Sequence, residues 1–395
     1  MSIRSQESLR YDTFDYSSTK QSINFSYGLP DPKTFGRMSW PQTLSTNTGV
    51  SFTDLLQYTD SYGLPELREQ LSYRYKTTRD NVIITSGASQ ALQLIADAFV
   101  NPGDIVLTED PSYLGALRIF SIAGANVIQL GMDQHGVDIG QLELILYATK
   151  KRIALFYTAP VFHNPTGRCI SRQRMADVAA ILAQHGVPLV QDLVYAELAY
   201  DDTAPEFVEA GLNVINVHSF SKIAGPGLRV GWVLAETPIV QRLARLKCDG
   251  GVSPIASNMA LELLRSSELE THIGWLRQHY KRKRDMMHTI LQGSTFCESS
   301  YALPLGGFSF WVRLASDVDA TLLIETVRDI HNIHLVPGER HGPTSGQYAR
   351  ICFSYMPVDK FEEGLQYIEA TYKLLTEKSR NGKTHACDVE SHQLS

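Results

Sequence analysis

Lys222 is the residue around which the chemistry of this chain gathers. A strand-like run from Val214 to His218 stops at Ser219 and Ser221, delivers Lys222, kinks through Gly225-Pro226-Gly227 and resumes as a strand carrying Arg229. Hydroxyls and a guanidinium fork are anion ligands, and an amine among them can condense with a carbonyl, so the group suits a phosphorylated aldehyde. In isolation, a Lys and an Arg flanking a surface loop look the same. Other polar groups answer at regular intervals: Asn164 in Asn164-Pro165-Thr166-Gly167, then Asp192 with Tyr195. Asn164 lies 28 residues before Asp192, and Asp192 lies 30 before Lys222. Each interval is about one strand-helix-strand repeat, which sets the three on the ends of different strands.

The elements that must hold them are short apolar runs: Val82 to Thr85, Ile105 to Glu109, Ile153 to Thr158, Val187 to Gln191, Val214 to His218 and Val230 to Ala235. Helical stretches such as Gln90 to Val100 and Met175 to His185 separate several of them. Near-continuous apolar strands alternating with helices predict an α/β fold whose mainly parallel sheet is covered on both faces, with ligands at the carboxyl ends of the strands. Ser86-Gly87-Ala88-Ser89, between a strand and a helix, turns free N–H groups and a positive dipole end toward an anion. Beyond Asn258 the pattern shifts to long helices and α+β: helices over Asn258 to Arg265 and His272 to Gln292, strands over Gly306 to Val312 and Tyr348 to Ser354, and a helix over Ala320 to Ile330. The run Lys281-Arg282-Lys283-Arg284 reads as a solvated helix face.

Composition excludes several classes. The 395 residues, 43% hydrophobic and 20% charged, provide for more than one core. A net charge of −6 carries no footprint for nucleic acid, and no apolar run reaches membrane-spanning length. The five cysteines are scattered without metal-ligand spacing, the N-terminus has no secretory apolar region, and both point to free thiols in a reducing cytoplasm.

Ser219-Phe220-Ser221-Lys222, followed by Pro226-Gly227-Leu228-Arg229 and Val230-Gly231-Trp232, resembles the lysine signature of class I/II aminotransferases, the fold-type I enzymes of pyridoxal 5′-phosphate (PLP). The likeness is strongest to the branch of 2-aminoadipate aminotransferases and MocR-type regulators. It extends over Gly28-Leu29-Pro30, Tyr58 to Arg68, Gly87 to Leu92, the Asn-Pro-Thr-Gly turn, Gly306-Gly307-Phe308 and Val336-Pro337-Gly338. The resemblance implies a large PLP domain over 46–255, a small α+β domain over 256–376, an N-terminal arm over 1–45 partly joined to the small domain, and a disordered polar tail over 377–395. It implies Lys222 as the catalytic amine, Asp192 on the pyridine nitrogen, Asn164 and Tyr195 on the 3′-oxygen, and Tyr113 stacked on the ring. At the phosphate it sets Ala88 by its backbone, Ser89, Ser219, Ser221 and Arg229, with Tyr58 reaching in from the other subunit of a homodimer with shared active sites. Taken alone, Tyr58 is equally a structural tyrosine. Arg350 matches the arginine that grips the α-carboxylate of an amino-acid substrate, with Asn164 and Gly28 beside it.

Transamination between an amino acid and a 2-oxo acid is the activity this implies. The same equipment also serves elimination or ring closure on a hydroxylated or guanidino amino acid such as hydroxyarginine. Two departures from the branch's pattern, His163 where Gln is common and the loop from Glu339 to Gln347 where aromatic residues are usual, are expected on the substrate side. A MocR-type effector-sensing domain is the third reading. It is disfavoured because Asn24 to Asp31 already enters the PLP domain, leaving no room for a DNA-binding module upstream.

Overall fold

The structure is a computed structural model that describes residues 22–26, 28–37, 55–201, 207–266 and 268–391. Of the expected arm over 1–45, residues 22–26 and 28–37 are described and the others lie outside the described residues. Strand β1 (Ile23–Asn24) and helix α1 (Pro65–Arg74) lead into an alternating series. It runs β2 (Val82–Thr85), α2 (Ala88–Phe99), β3 (Ile105–Asp110), α3 (Leu114–Ile122), β4 (Asn126–Asp133), β5 (Gly136–Val137), α4 (Ile139–Ala148), β6 (Ile153–Thr158) and α5 (Arg172–Gln184). Then follow β7 (Leu189–Asp192), β8 (Val214–Ser219), β9 (Gly231–Leu234) and α6 (Thr237–Leu246).

These strands form one sheet in the order β2-β9-β8-β7-β6-β3-β4-β5, in which β9 and β5 run antiparallel to their neighbours. The other six share one direction, so their carboxyl ends face one rim. Side chains alternate across the sheet: Val106 and Leu155 pack toward α2, α3 and α6, whereas Leu107 and Phe156 pack toward α4 and α5. With both faces covered, β2, β3, β7, β8 and β9 are buried throughout, which is why they read as unbroken apolar runs.

The last third comprises α7 (Pro254–Arg265), α8 (Glu268–Gln292), β10 (Ser309–Arg313), α9 (Ala320–His331), β11 (Ile333–His334), β12 (Val336–Pro337), β13 (Tyr348–Cys352) and α10 (Val358–Ser391). It builds an antiparallel sheet β10-β13-β12, while β1 pairs in parallel with β11 and so ties the N-terminal segment to this part of the chain.

Several expectations change. The tail from 377, read as unstructured, continues α10 as helix to Ser391. The basic run on α8 is a solvated face only in part, with Arg282 exposed and Lys281 half-buried. Lys283 and Arg284 are buried, because positions 280, 283, 284, 287 and 291 fall on the inward stripe at helical spacing. Arg229 stands before the strand rather than in it, in the left-handed conformation (φ 52°) at the end of a short 3₁₀ turn. No helix among the described residues is long and apolar enough to cross a membrane.

Candidate active site

The carboxyl ends of β2, β3, β6, β7 and β8 open on a cavity of about 970 Å³, closed from the other side by residues of α9, β12 and β13. Gly28, Ala88, Ser89, Tyr113, Asn164, Asp192, Tyr195, Ser219, Ser221, Lys222, Arg229 and Arg350 all line it. Of the candidate residues, only Tyr58 is elsewhere. It is 83% exposed and borders a smaller hollow with Asp249, Gly250 and Gly251.

One end of the cavity is built for an anion. Helix α2 starts at Ala88 with no side chain capping it, so its first N–H groups and dipole are open to a ligand. Gly87, at φ +82°, lets Arg229 cross the turn: a Cβ there would stand 2.7 Å from Arg229 Nη2, which donates to the Ser86 carbonyl at 2.8 Å. The Ser219 hydroxyl donates to Ser221 Oγ at 2.9 Å and accepts from the Ser221 N–H, fixing both hydroxyls at the end of β8. Gly231 is required nearby, since a Cβ on it would lie within 3 Å of the backbone of Gly87, Ala88 and His218.

Lys222 follows in a 3₁₀ turn and donates to the Gly28 carbonyl at 2.9 Å. Burial, reinforced by the positive charges of Arg350 and Arg229, brings its ammonium pKa down to about 8, although Cys352 and Asp192 oppose the shift. Its amine stands 5.5 Å from the centre of the Tyr195 ring. Asp192, at the end of β7, is lifted to about 6 by burial, against the hydrogen bond that Tyr157 donates to Oδ2 at 3.0 Å. A buried carboxylate held so high is short of a cation. The Tyr195 and Tyr113 phenols are both pushed up by burial and stay protonated as donors. Tyr113 lies over Gly115, where a Cβ would come within 2.5 Å of the ring.

At the opposite end, Arg350 on β13 donates Nη1 to Asn164 Oδ1 at 2.8 Å and Nη2 to the Ser26 carbonyl, while its buried Nε has no hydrogen-bond partner among the described residues. Because Asn164 spends Oδ1 as acceptor, its NH₂ is left to donate elsewhere. These groups fit PLP: an uncapped helix, hydroxyls and a guanidinium for the phosphate, an amine for the aldehyde, and a cation-deficient carboxylate for the ring nitrogen.

Sequence reasoning missed Tyr157, which looked like any core residue of β6, and the outer wall of Arg118, Thr321, Ile324, Glu325 and Arg328. It also misjudged His163. That side chain is 1% exposed, is not in the cavity wall, and turns Nε2 toward Glu109 at 3.7 Å. Of the loop from Glu339 to Gln347, only Glu339 and Arg340 line the cavity. His341 is buried and holds the Ser112 carbonyl at 2.8 Å. None of the described cysteines, Cys169, Cys248, Cys297 and Cys352, is in a disulfide.

Comparison with known proteins bears on the whole chain. Residues 37–368 match the aminotransferase class I and II family. An aromatic-amino-acid aminotransferase of Thermococcus litoralis is 29% identical over 372 residues, 90% of this chain and 89% of that protein. An uncharacterised HTH-type transcriptional regulator of Bacillus subtilis is 30% identical over 331 residues, 81% of this chain and 68% of the regulator. Among solved structures, the kynurenine aminotransferase of Pyrococcus horikoshii, in complex with PMP, superposes with a TM-score of 0.83 at 30% identity, covering 94% of this chain and 96% of that one. The match of family, fold and cavity settles where the chain stands: it belongs to the class I and II aminotransferases, fold-type I enzymes of pyridoxal 5′-phosphate.

Proposed function

We propose that this aminotransferase acts on an amino acid held at its α-carboxylate by Arg350 and deprotonated at Cα by Lys222, with the phosphate of PLP gripped by Ala88, Ser89, Ser219, Ser221 and Arg229. The observation that carries the reading is the convergence of Lys222, Asp192, Asn164 and Arg350 on one cavity. When bound, PLP supplies a carbonyl for the amine and an electron sink for the Cα–H bond. Asp192 stabilises positive charge on the ring nitrogen. Tyr157 and the Val194 N–H orient that carboxylate from behind, both donating to it. Tyr195 and the Asn164 amide would donate to the cofactor's 3′-oxygen, and Tyr113 would cover its ring. The planar fork of Arg350 fixes the substrate's carboxylate in two places, so the Cα–H bond is aimed at Lys222. Lys222, as the free amine, would take the proton from Cα and return it to the cofactor's C4′.

The outer wall mixes Leu114, Ile324 and Leu335 with Arg118, Glu325 and Arg340, a lining that suits a long side chain with a polar end. A lyase or cyclase activity gains no support from His163, which lies outside the cavity. Tyr58, an exposed aromatic outside its own subunit's cavity, fits the role of phosphate ligand in the neighbouring subunit of a homodimer.

Replacing Lys222 by Ala tests the assignment. Turnover and the absorbance of the lysine-bound cofactor are expected to vanish while PLP is still held at its phosphate. Retained turnover would refute it.

A further inference from the structure

Two buried charges outside the cavity are unexplained by the reaction just described. Asp31 lies at the end of the Gly28-Leu29-Pro30-Asp31 stretch, and Lys283 comes from the basic run on α8. Lys283 Nζ donates to Asp31 Oδ2 at 3.0 Å and to the Ser354 carbonyl at 2.6 Å. His279 Nε2 meets the same Asp31 oxygen at 3.2 Å, Lys33 N–H donates to the other at 3.0 Å, and the Asp31 N–H donates to the Tyr280 hydroxyl at 2.9 Å. Ser354, just beyond the strand that carries Arg350, closes the arrangement by donating its hydroxyl to the Leu29 carbonyl. With side-chain exposures of 7% for Lys283 and 11% for Asp31, the pair is a buried ion pair, costly to leave half-made.

What this anchor holds is the segment that crosses the cavity. Arg350 grips the Ser26 carbonyl and Lys222 grips the Gly28 carbonyl. Both grips belong to groups that an arriving substrate and cofactor must engage. Once Arg350 turns to a carboxylate and Lys222 cycles between bonded and free amine, the contacts at Asp31 and Leu29 remain to keep the segment in place.

We infer that Asp31 and Lys283 are positioning residues of the reaction: by tying the Gly28 segment to α8 and to the end of β13, they keep the Gly28 carbonyl as the acceptor that aims the free Lys222 amine at Cα. The inference rests on the aminotransferase reading and adds to it two residues remote from the chemistry. Lys222 Nζ holds the proton in transit, and a carbonyl fixed at 2.9 Å, by accepting one of its N–H bonds, orients the lone pair left for the substrate. A shift of about 1 Å in such a group can cost about 100-fold in rate, so a loosened segment should be visible in the proton transfer.

The test uses Asp31→Asn, Lys283→Met and the double variant, which removes both charges and so avoids an unpaired one if a single variant fails to fold. Amide hydrogen exchange of the peptide from Gly28 to Thr34 is read first, on the cofactor-free chain, where loss of protection is expected whatever the reaction. On the loaded enzyme, proton transfer from an α-deuterated against an α-protiated amino acid should slow about tenfold, with a larger primary isotope effect and PLP affinity unchanged. Unaltered exchange in the double variant would overturn the anchor. Faster exchange with an unaltered isotope effect would overturn the positioning role and leave only a structural pair.

Discussion

On the proposed reading Lys222 is a nucleophile toward the cofactor and a base toward the substrate, and both tasks need the neutral amine. Burial brings its pKa to about 8, with Arg350 and Arg229 pressing in the same direction. The sign follows: below pH 8 the amine is mostly an ammonium and unreactive, and above it the neutral form dominates. The rate at which the cofactor-free chain captures PLP is therefore expected to rise about tenfold per pH unit up to roughly 8 and then level off. Stopped-flow absorbance over a pH series measures this. A rate already flat between pH 6 and 9 would mean that the surroundings do not tune the amine as described. Asp192 complements it, because a carboxylate lifted to about 6 by burial gains most from a protonated ring nitrogen.

At the scale of elements, the phosphate end depends on how closely β9 and the start of α2 approach. Gly87 permits that approach at φ +82°, and a methyl group there would meet the tip of Arg229 at 2.7 Å. Since the obstructed atom ends a flexible side chain, Gly87→Ala should spare the fold and expel the arginine. The expectation is a loss of about 1–3 kcal/mol in stability, from a non-glycine residue held at positive φ with an extended ψ of 171°, and about tenfold weaker PLP retention from a lost charge-assisted contact. Thermal unfolding and equilibrium dialysis read the two separately, and unchanged retention would remove Arg229 from the phosphate site. The strand, glycine turn and helix at this end were legible in the sequence because they are contiguous, and because parallel strands buried on both faces read as apolar runs. Strand β4, next to the short edge strand β5 and only partly buried along most of its length, gave no such run. His163 was misread for another reason: its Glu109 partner is 54 positions earlier, and no local pattern says which way a turn residue faces. The same limit hid the inward side of the Lys281 to Arg284 run and the bond from Tyr157 to Asp192.

For the whole molecule, the sheet supplies the groups proposed to hold the cofactor and the last third supplies Arg350, so the cavity lies where the two parts meet. A homodimer would complete it with Tyr58. Tyr58→Phe should then weaken PLP retention several-fold without altering the subunit's own fold, an effect to be read by dialysis beside sedimentation of the dimer. Retention equal to that of the parent protein would argue against a shared site. The most direct test of the central claim mixes the PLP-loaded enzyme with single amino acids, with no 2-oxo acid present, and follows absorbance and product. One equivalent of 2-oxo acid per site is expected, with the cofactor left as the pyridoxamine form and restored by 2-oxoglutarate. Continued consumption of the amino acid without an acceptor, with ammonia or a cyclised product released, would contradict transamination.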